Sequence, residues 1–217
     1  MAYTGKVTQG GPPQVRELPE LTITKVSVGP MDNNAYLLRC RRTGEQVLID
    51  AANEAPRLLE LIGDAGLSAV VTTHQHYDHW QALAEVVEAT GARSVAHRLD
   101  APEIPVVSET VEDGARIRVG DCELEAIHLV GHTPGSIALL YHDQESTPHL
   151  FTGDSLFPGG VGNTWGDKDR FTSLIDDVEH KLFDRLPDDT WFYPGHGDDS
   201  TLGAERPSLP EWRARGW

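Results

Sequence analysis

The apolar run Ala69-Val70-Val71 opens directly into Thr72-Thr73-His74-Gln75-His76-Tyr77-Asp78-His79-Trp80, so three imidazoles and a carboxylate share one short piece of backbone. His74, His76 and Asp78 are spaced by two, and in extended chain such side chains project to the same side. His79 follows at once, where the backbone can turn and aim it elsewhere. The segment can therefore offer His74 and His76 to one ion, and Asp78 with His79 to a neighbouring one. A chain built around it must end a buried strand at a polar cluster and bring further ligands to the same place.

Three other segments have the right character. Gly131-His132-Thr133-Pro134-Gly135 sets a histidine in a turn between two strand-like stretches. Thr152-Gly153-Asp154 sets a carboxylate at the end of a strand read over 149–152, and Pro194-Gly195-His196-Gly197 follows a strand read over 190–193. Polar residues where an apolar strand gives out into a loop are the usual material of a site. Imidazole and carboxylate suit zinc, iron or manganese, and the lack of a thiolate in the cluster argues against a closed structural zinc site. His97, His128, His142, His149 and His180 have no spaced partner and are read as ordinary histidines.

Residues 1–20, rich in Gly and Pro, read as an N-terminal arm with at most one edge strand, and 21–217 as a single domain. Leu21–Val28 alternates apolar and polar, as a half-buried strand does. Further strands are expected over 35–39, 46–50, 68–73, 94–97, 115–119, 122–129 and 136–141, with helices over 54–65, 81–90 and 171–186. Strands outnumber the helices that punctuate them, which points to a layered α/β domain with mixed sheets. No apolar run is long enough to cross a bilayer and no secretory h-region is visible, so the expected setting is the cytoplasm, with no membrane partner. Cys40 and Cys122 are the only cysteines and form no CxxC motif, in keeping with a reducing compartment. The net charge of −16 repels phosphate backbones and argues against nucleic acid as partner or substrate. The Trp-containing end, Leu209 to Trp217, can pack on its own domain or on a second subunit, so a homodimer stays open.

THxHxDH, GHTPG, FTGDSLF and YPGHG, in that order, resemble the metallo-β-lactamase superfamily, and within it the short bacterial hydroxyacylglutathione hydrolases of the glyoxalase II-like branch. The resemblance runs from Asn33-Asn34-Ala35-Tyr36 to His196. It implies a four-layer αββα sandwich with two mixed sheets flanked by helices, and a site at one edge of the sheets. Carried over, it implies His74, His76 and His132 on a first ion, Asp78, His79 and His196 on a second, and Asp154 between them. The implied cofactor is a pair of divalent ions, zinc first, with iron or manganese as alternatives. The implied activity is hydrolysis of a small-molecule thioester, or a related ester or lactone, by a metal-bridging hydroxide, with Asp78 and Asp154 as the catalytic carboxylates. Asp50 in LIDAAN is a candidate to orient a ligand imidazole, or else a cap of the following helix.

The departures from the family pattern also carry information. Asp154 stands where metallo-β-lactamases carry Cys or Ser, which argues against antibiotic hydrolysis. No separate C-terminal glutathione-binding helical domain is expected. Gly162-Asn163-Thr164-Trp165 replaces a GRTD element and its arginine, which puts glutathione itself in question. Trp80 and Trp165 can line a pocket for another thiol or acyl group, or belong to the core. The alternative activity is a mononuclear Fe(II) persulfide dioxygenase of the same fold, held by His74, His132 and Asp154.

Overall fold

Side chains alternate between the two faces of each strand, and because both faces of the inner strands are covered, strands such as Gln46–Ile49, Ile137–Tyr141 and His149–Gly153 are buried along their whole length, the two faces feeding different apolar layers. The structure, a computed structural model, describes residues 3–143 and 146–216. The first sheet takes its strands in chain order: β1 (Gln14–Glu17), β2 (Leu21–Val28), β3 (Asn33–Cys40), β4 (Gln46–Ile49), β5 (Ala69–Val71), β6 (Arg93–His97) and β7 (Glu109–Val111). It is antiparallel from β1 to β4 and parallel from β4 to β7. The second sheet comprises β8 (Arg116–Val119), β9 (Cys122–His128), β10 (Ile137–Tyr141) and β11 (His149–Gly153). A small ribbon of β12 (Leu156–Phe157) and β13 (Gly160–Val161) precedes its last members, β14 (Trp191–Pro194) and β15 (Ser200–Thr201). Its order is β15-β14-β11-β10-β9-β8, with β11 and β14 parallel.

Between the sheets lies a core of Leu21, Ile23, Leu38, Val47, Ile49, Val71, Leu124, Leu139, Phe151 and Tyr193. The outer face of the first sheet, with Val26, Leu48 and Val70, packs on helices α1 (Ala55–Ile62) and α2 (Leu83–Thr90). The outer face of the second, with Leu140, Leu150 and Phe192, packs on α3 (Lys168–Asp177). The π-helical turn Val178–Phe183 prolongs α3, and α4 (Leu202–Glu205) and α5 (Leu209–Arg215) complete that side. The layers are thus α, β, β, α.

Several elements differ from the sequence expectation. Asp167 caps α3 by accepting from the N–H groups of Asp169 and Arg170, so the helix begins before Phe171. Strand β7 and the β12–β13 ribbon are too short to leave a periodic signal. Trp212 is fully buried against Phe183, which packs the C-terminal helix on its own domain; Trp217 lies outside the described residues. No helix among the described residues is long and apolar enough to cross a membrane.

Candidate metal centre

All seven predicted site residues converge at one edge of the sandwich. His74 follows β5, and Asp78 and His79 sit in a 3-10 turn, Tyr77–His79, that aims them back at the strand ends. His132 comes from the loop between β9 and β10, Asp154 from just past β11, and His196 from just past β14. His74, His76 and His132 form one group, and Asp78, His79 and His196 a second; a third, His74, His79 and Asp154, spans them. In each group the donor atoms lie within 4.8 Å of one another. Asp154 Oδ2 is 4.0 Å from His74 Nε2, 3.7 Å from His132 Nε2 and 3.6 Å from His196 Nε2, while its Oδ1 is 3.4 Å from His79 Nε2. Gly195 is required here, because a Cβ at that position would strike the Asp154 carboxylate and the His79 ring.

The fit to cations can be tested on atoms that nothing else satisfies. His74 Nε2, His79 Nε2 and Asp154 Oδ1 are buried and make no hydrogen bond. Buried polar atoms are nearly always paired, and leaving one unpaired costs about 1–3 kcal/mol. Three such atoms facing one small space, with carboxylates among them, suit divalent ions.

The outer nitrogens of the rings are tied down, and this fixes which nitrogen faces the centre. His132 Nδ1 is 2.9 Å from the Asn163 carbonyl and His196 Nδ1 3.0 Å from the Met31 carbonyl. His79 Nδ1 is 2.8 Å from Asp50 Oδ2, and His74 Nδ1 is 3.0 Å from the Thr73 hydroxyl. That hydroxyl in turn donates to Asp50 Oδ2 at 2.9 Å, and the Thr73 N–H donates to Asp50 Oδ1 at 2.8 Å. One buried carboxylate therefore orients an imidazole in each group. Asp50 does this with a left-handed backbone, φ 57°, a conformation that costs a non-glycine residue of order 1 kcal/mol. It is not the cap of α1, a position held by Glu54.

Burial and the charge of neighbouring rings hold the His74 imidazole well below its usual pKa, and burial brings His132 down to about 4. Both rings are thus neutral and able to donate a lone pair near pH 7. His79 differs: burial opposes its charge, but Asp154 and Asp50 outweigh burial and raise it. Burial would raise Asp78, yet His196, His79 and the Asn33 amide hold its carboxyl well down.

Three residues that sequence reasoning passed over also build the edge. The Asn33 amide donates to Asp78 Oδ2 at 2.8 Å. Asp100, fully buried, accepts from the Gln75 N–H, the Thr133 hydroxyl and the Gly135 N–H, fastening the two histidine-bearing loops together. Lys25, also buried, donates to the Gly197 carbonyl and pairs with Asp199, holding the loop that carries His196. None of the three lies in a spaced motif. The two tryptophans separate: Trp80 is half-buried and donates to the Gln75 carbonyl, whereas Trp165 is 54% exposed and stacks on the His132 ring at 5.4 Å.

Residues 28–196 match the family described as the metallo-beta-lactamase superfamily. A hydroxyacylglutathione hydrolase of Polaromonas sp. (strain JS666) is 38% identical over 76% of this chain and 62% of its own length. The hydroxyacylglutathione hydrolase GloC of Haemophilus influenzae is 32% identical over 75% of this chain and 85% of its own. Among solved structures, ETHE1 from Myxococcus xanthus superposes with a TM-score of 0.77 at 28% identity, over 88% of this chain and 84% of that one. TTHA1623 in a di-iron-bound form gives 0.71 at 32%, over 86% and 98%. The chain belongs to the metallo-β-lactamase superfamily and has its fold. It spans less than two thirds of the Polaromonas relative's length.

If Asp50 orients both rings, Asp50→Asn should lower metal affinity about 10- to 100-fold while the far-UV circular dichroism stays native. Competition with a chromophoric chelator measures this, and unchanged affinity would contradict the role.

Proposed function

We propose that this chain is a binuclear metallohydrolase that cleaves the thioester of a small-molecule thiol. The observation that carries the reading is the placement of Asp154, whose two oxygens stand within 4.0 Å of histidines from both groups. His74, His76 and His132 would hold one ion, Asp78, His79 and His196 the other, and Asp154 would be shared. Two zinc ions suit this all-nitrogen-and-oxygen set, with iron or manganese as alternatives; the di-iron form of TTHA1623 supports a two-ion reading. Such ions, when bound, lower the pKa of a water to about 7 and polarise an acyl carbonyl.

The chain's own residues supply position and charge. Asn33 and His196 pin the Asp78 carboxylate, which stays ionised and can accept a hydrogen bond from the attacking water. A thiolate with a parent pKa of about 8.5 leaves without a general acid, whereas an amine does not. Every acidic side chain in the centre is assigned to a ligand role, so thioester chemistry asks least of the site. The hydrolase names of the relatives support the same choice.

The substrate would approach beside Gln75, where a cleft of ≈570 Å³ is lined by Val130, Thr133, Pro134 and Arg170. Trp165, beside the cleft-lining Arg170, has a left-handed conformation, φ 54°, with the Arg170 guanidinium 4.7 Å from its ring centre. An exposed aromatic ring stacked on His132 favours an apolar acyl or thiol group rather than a highly charged one. A cytoplasmic, reducing setting agrees with the free thiols of Cys40 and Cys122, and the −16 charge with a substrate other than nucleic acid.

The mononuclear Fe(II) dioxygenase is the second reading. The likeness to ETHE1 supports it, as does the closeness of His74 and His132 to Asp154. A single ion there would leave His79 Nε2 buried and unbonded between the Asp78 and Asp154 carboxylates, each 3.4 Å away, and this favours two.

Asp154→Asn should reduce thioester hydrolysis at least 100-fold and lower metal content, with folding retained, while His180→Ala changes activity less than twofold. Assay of both variants against a panel of acyl thioesters tests the reading; a fully active Asp154→Asn enzyme would remove that residue from the site. Trp165→Ala should raise KM for aryl or long-chain thioesters by roughly five- to tenfold, as loss of an aromatic contact worth about 1 kcal/mol implies, and leave acetyl thioesters unaffected. Equal losses on all chain lengths would count against a substrate contact.

A further inference from the structure

Strand β3 begins at the metal centre with Asn33 and ends, roughly 23 Å away at ~3.3 Å per residue, with Cys40 at the opposite edge of the sandwich. The turn after it, Arg41 to Gly44, leans against the β8–β9 hairpin of the other sheet. Arg42 forms an ion pair with Asp121 across the gap. A Cβ on Gly120, in that hairpin, would sit 3.0 Å from Cys40 Sγ. Cys122 pairs with Val119 to close the same hairpin and belongs to the same buried cluster as Cys40. Both sulfurs belong to the core between the sheets, yet both residues line a cleft of ≈410 Å³ with Pro19, Glu20, Arg41 and Asp121. The only two cysteines of the chain, 82 positions apart, thus meet at the buried floor of that cleft, 1% and 5% exposed.

We propose that Cys40 and Cys122 form a reversible disulfide, driven by a hydroperoxide, that clamps the two sheets together at the edge remote from the metal centre. The two thiols have different surroundings. Burial opposes ionisation of Cys40, but the Thr43 hydroxyl and the N–H groups of Thr43 and Arg42 donate to its sulfur and hold its thiol below the usual value. Burial pushes the Cys122 thiol up to about 11, and it faces the Glu20 carbonyl and the Tyr141 hydroxyl. Cys40 is therefore the nucleophile and Cys122 the resolving thiol.

In the first step the Cys40 thiolate attacks a peroxide oxygen, the O–O bond breaks, hydroxide leaves and the sulfur becomes a sulfenic acid. In the second, Cys122 attacks that sulfur, the S–O bond breaks, and the Cys122 proton leaves with the hydroxyl group as water. Two thiols lose two electrons and two protons, and one peroxide becomes two waters. A dithiol reductant reverses the change.

The test is to treat the full-length protein with a slight excess of hydrogen peroxide, quench, denature and record the intact mass and free thiols. The expected result is loss of both thiols, a mass lower by about 2 Da, and a peptide pair linked through Cys40 and Cys122, all restored by dithiothreitol. Cys122→Ser should instead accumulate a dimedone-reactive sulfenic acid on Cys40, while Cys40→Ser should keep Cys122 as a thiol. Survival of both thiols, separate overoxidation of each, or cross-linked dimers in place of the internal link would overturn the proposal. The wild-type mass alone decides if either variant fails to fold.

Discussion

Three buried atoms without hydrogen-bond partners, His74 Nε2, His79 Nε2 and Asp154 Oδ1, impose the constraint that the rest of this edge answers. Taking carboxylates and imidazole lone pairs out of water is unfavourable unless something compensates. Compensation by one another is limited, because a neutral ring whose Nδ1 N–H is committed to Asp50, Thr73, Asn163 or Met31 has only an accepting Nε2 left to face the centre. Cations resolve the conflict, turning a costly arrangement of like acceptors into a preformed binding site.

Such a site needs a stiff frame, and the sandwich supplies one. The apolar layers on both faces of each sheet fix the strand ends from which the ligands project. Small polar groups then set the last fractions of an ångström. Asp50 joins His74 and His79 through Thr73, Asp100 ties the first histidine loop to that of His132, and Lys25 with Asn34 anchors the loop of His196. The left-handed backbone of Asp50 and the bare Cα of Gly195 are strained or unusual local choices that make sense only together with the centre.

Most strands and all seven converging residues were legible in the sequence because they obey local rules: short apolar or alternating runs, and ligands where a strand meets a polar or Gly- and Pro-rich turn. Asp100, Lys25 and Asn33 were not, since each acts on a partner distant in sequence and leaves no spacing to read. The ribbon β12–β13 and strand β7 owe their pairing to neighbours rather than to propensity. Trp165 could be read either way from sequence. Its position over His132 comes from the turn at Gly162–Gly166, which no periodicity describes.

The proposed chemistry would need two ions with Asp154 shared between them. The most direct measurement is the metal content per chain, by elemental analysis of protein purified without added metal or chelator, alongside its thioesterase activity. The expected result is close to two ions per chain and hydrolysis that falls away as the second is stripped. A single iron per chain in fully active protein, with oxygen consumed in the presence of a persulfide, would contradict it.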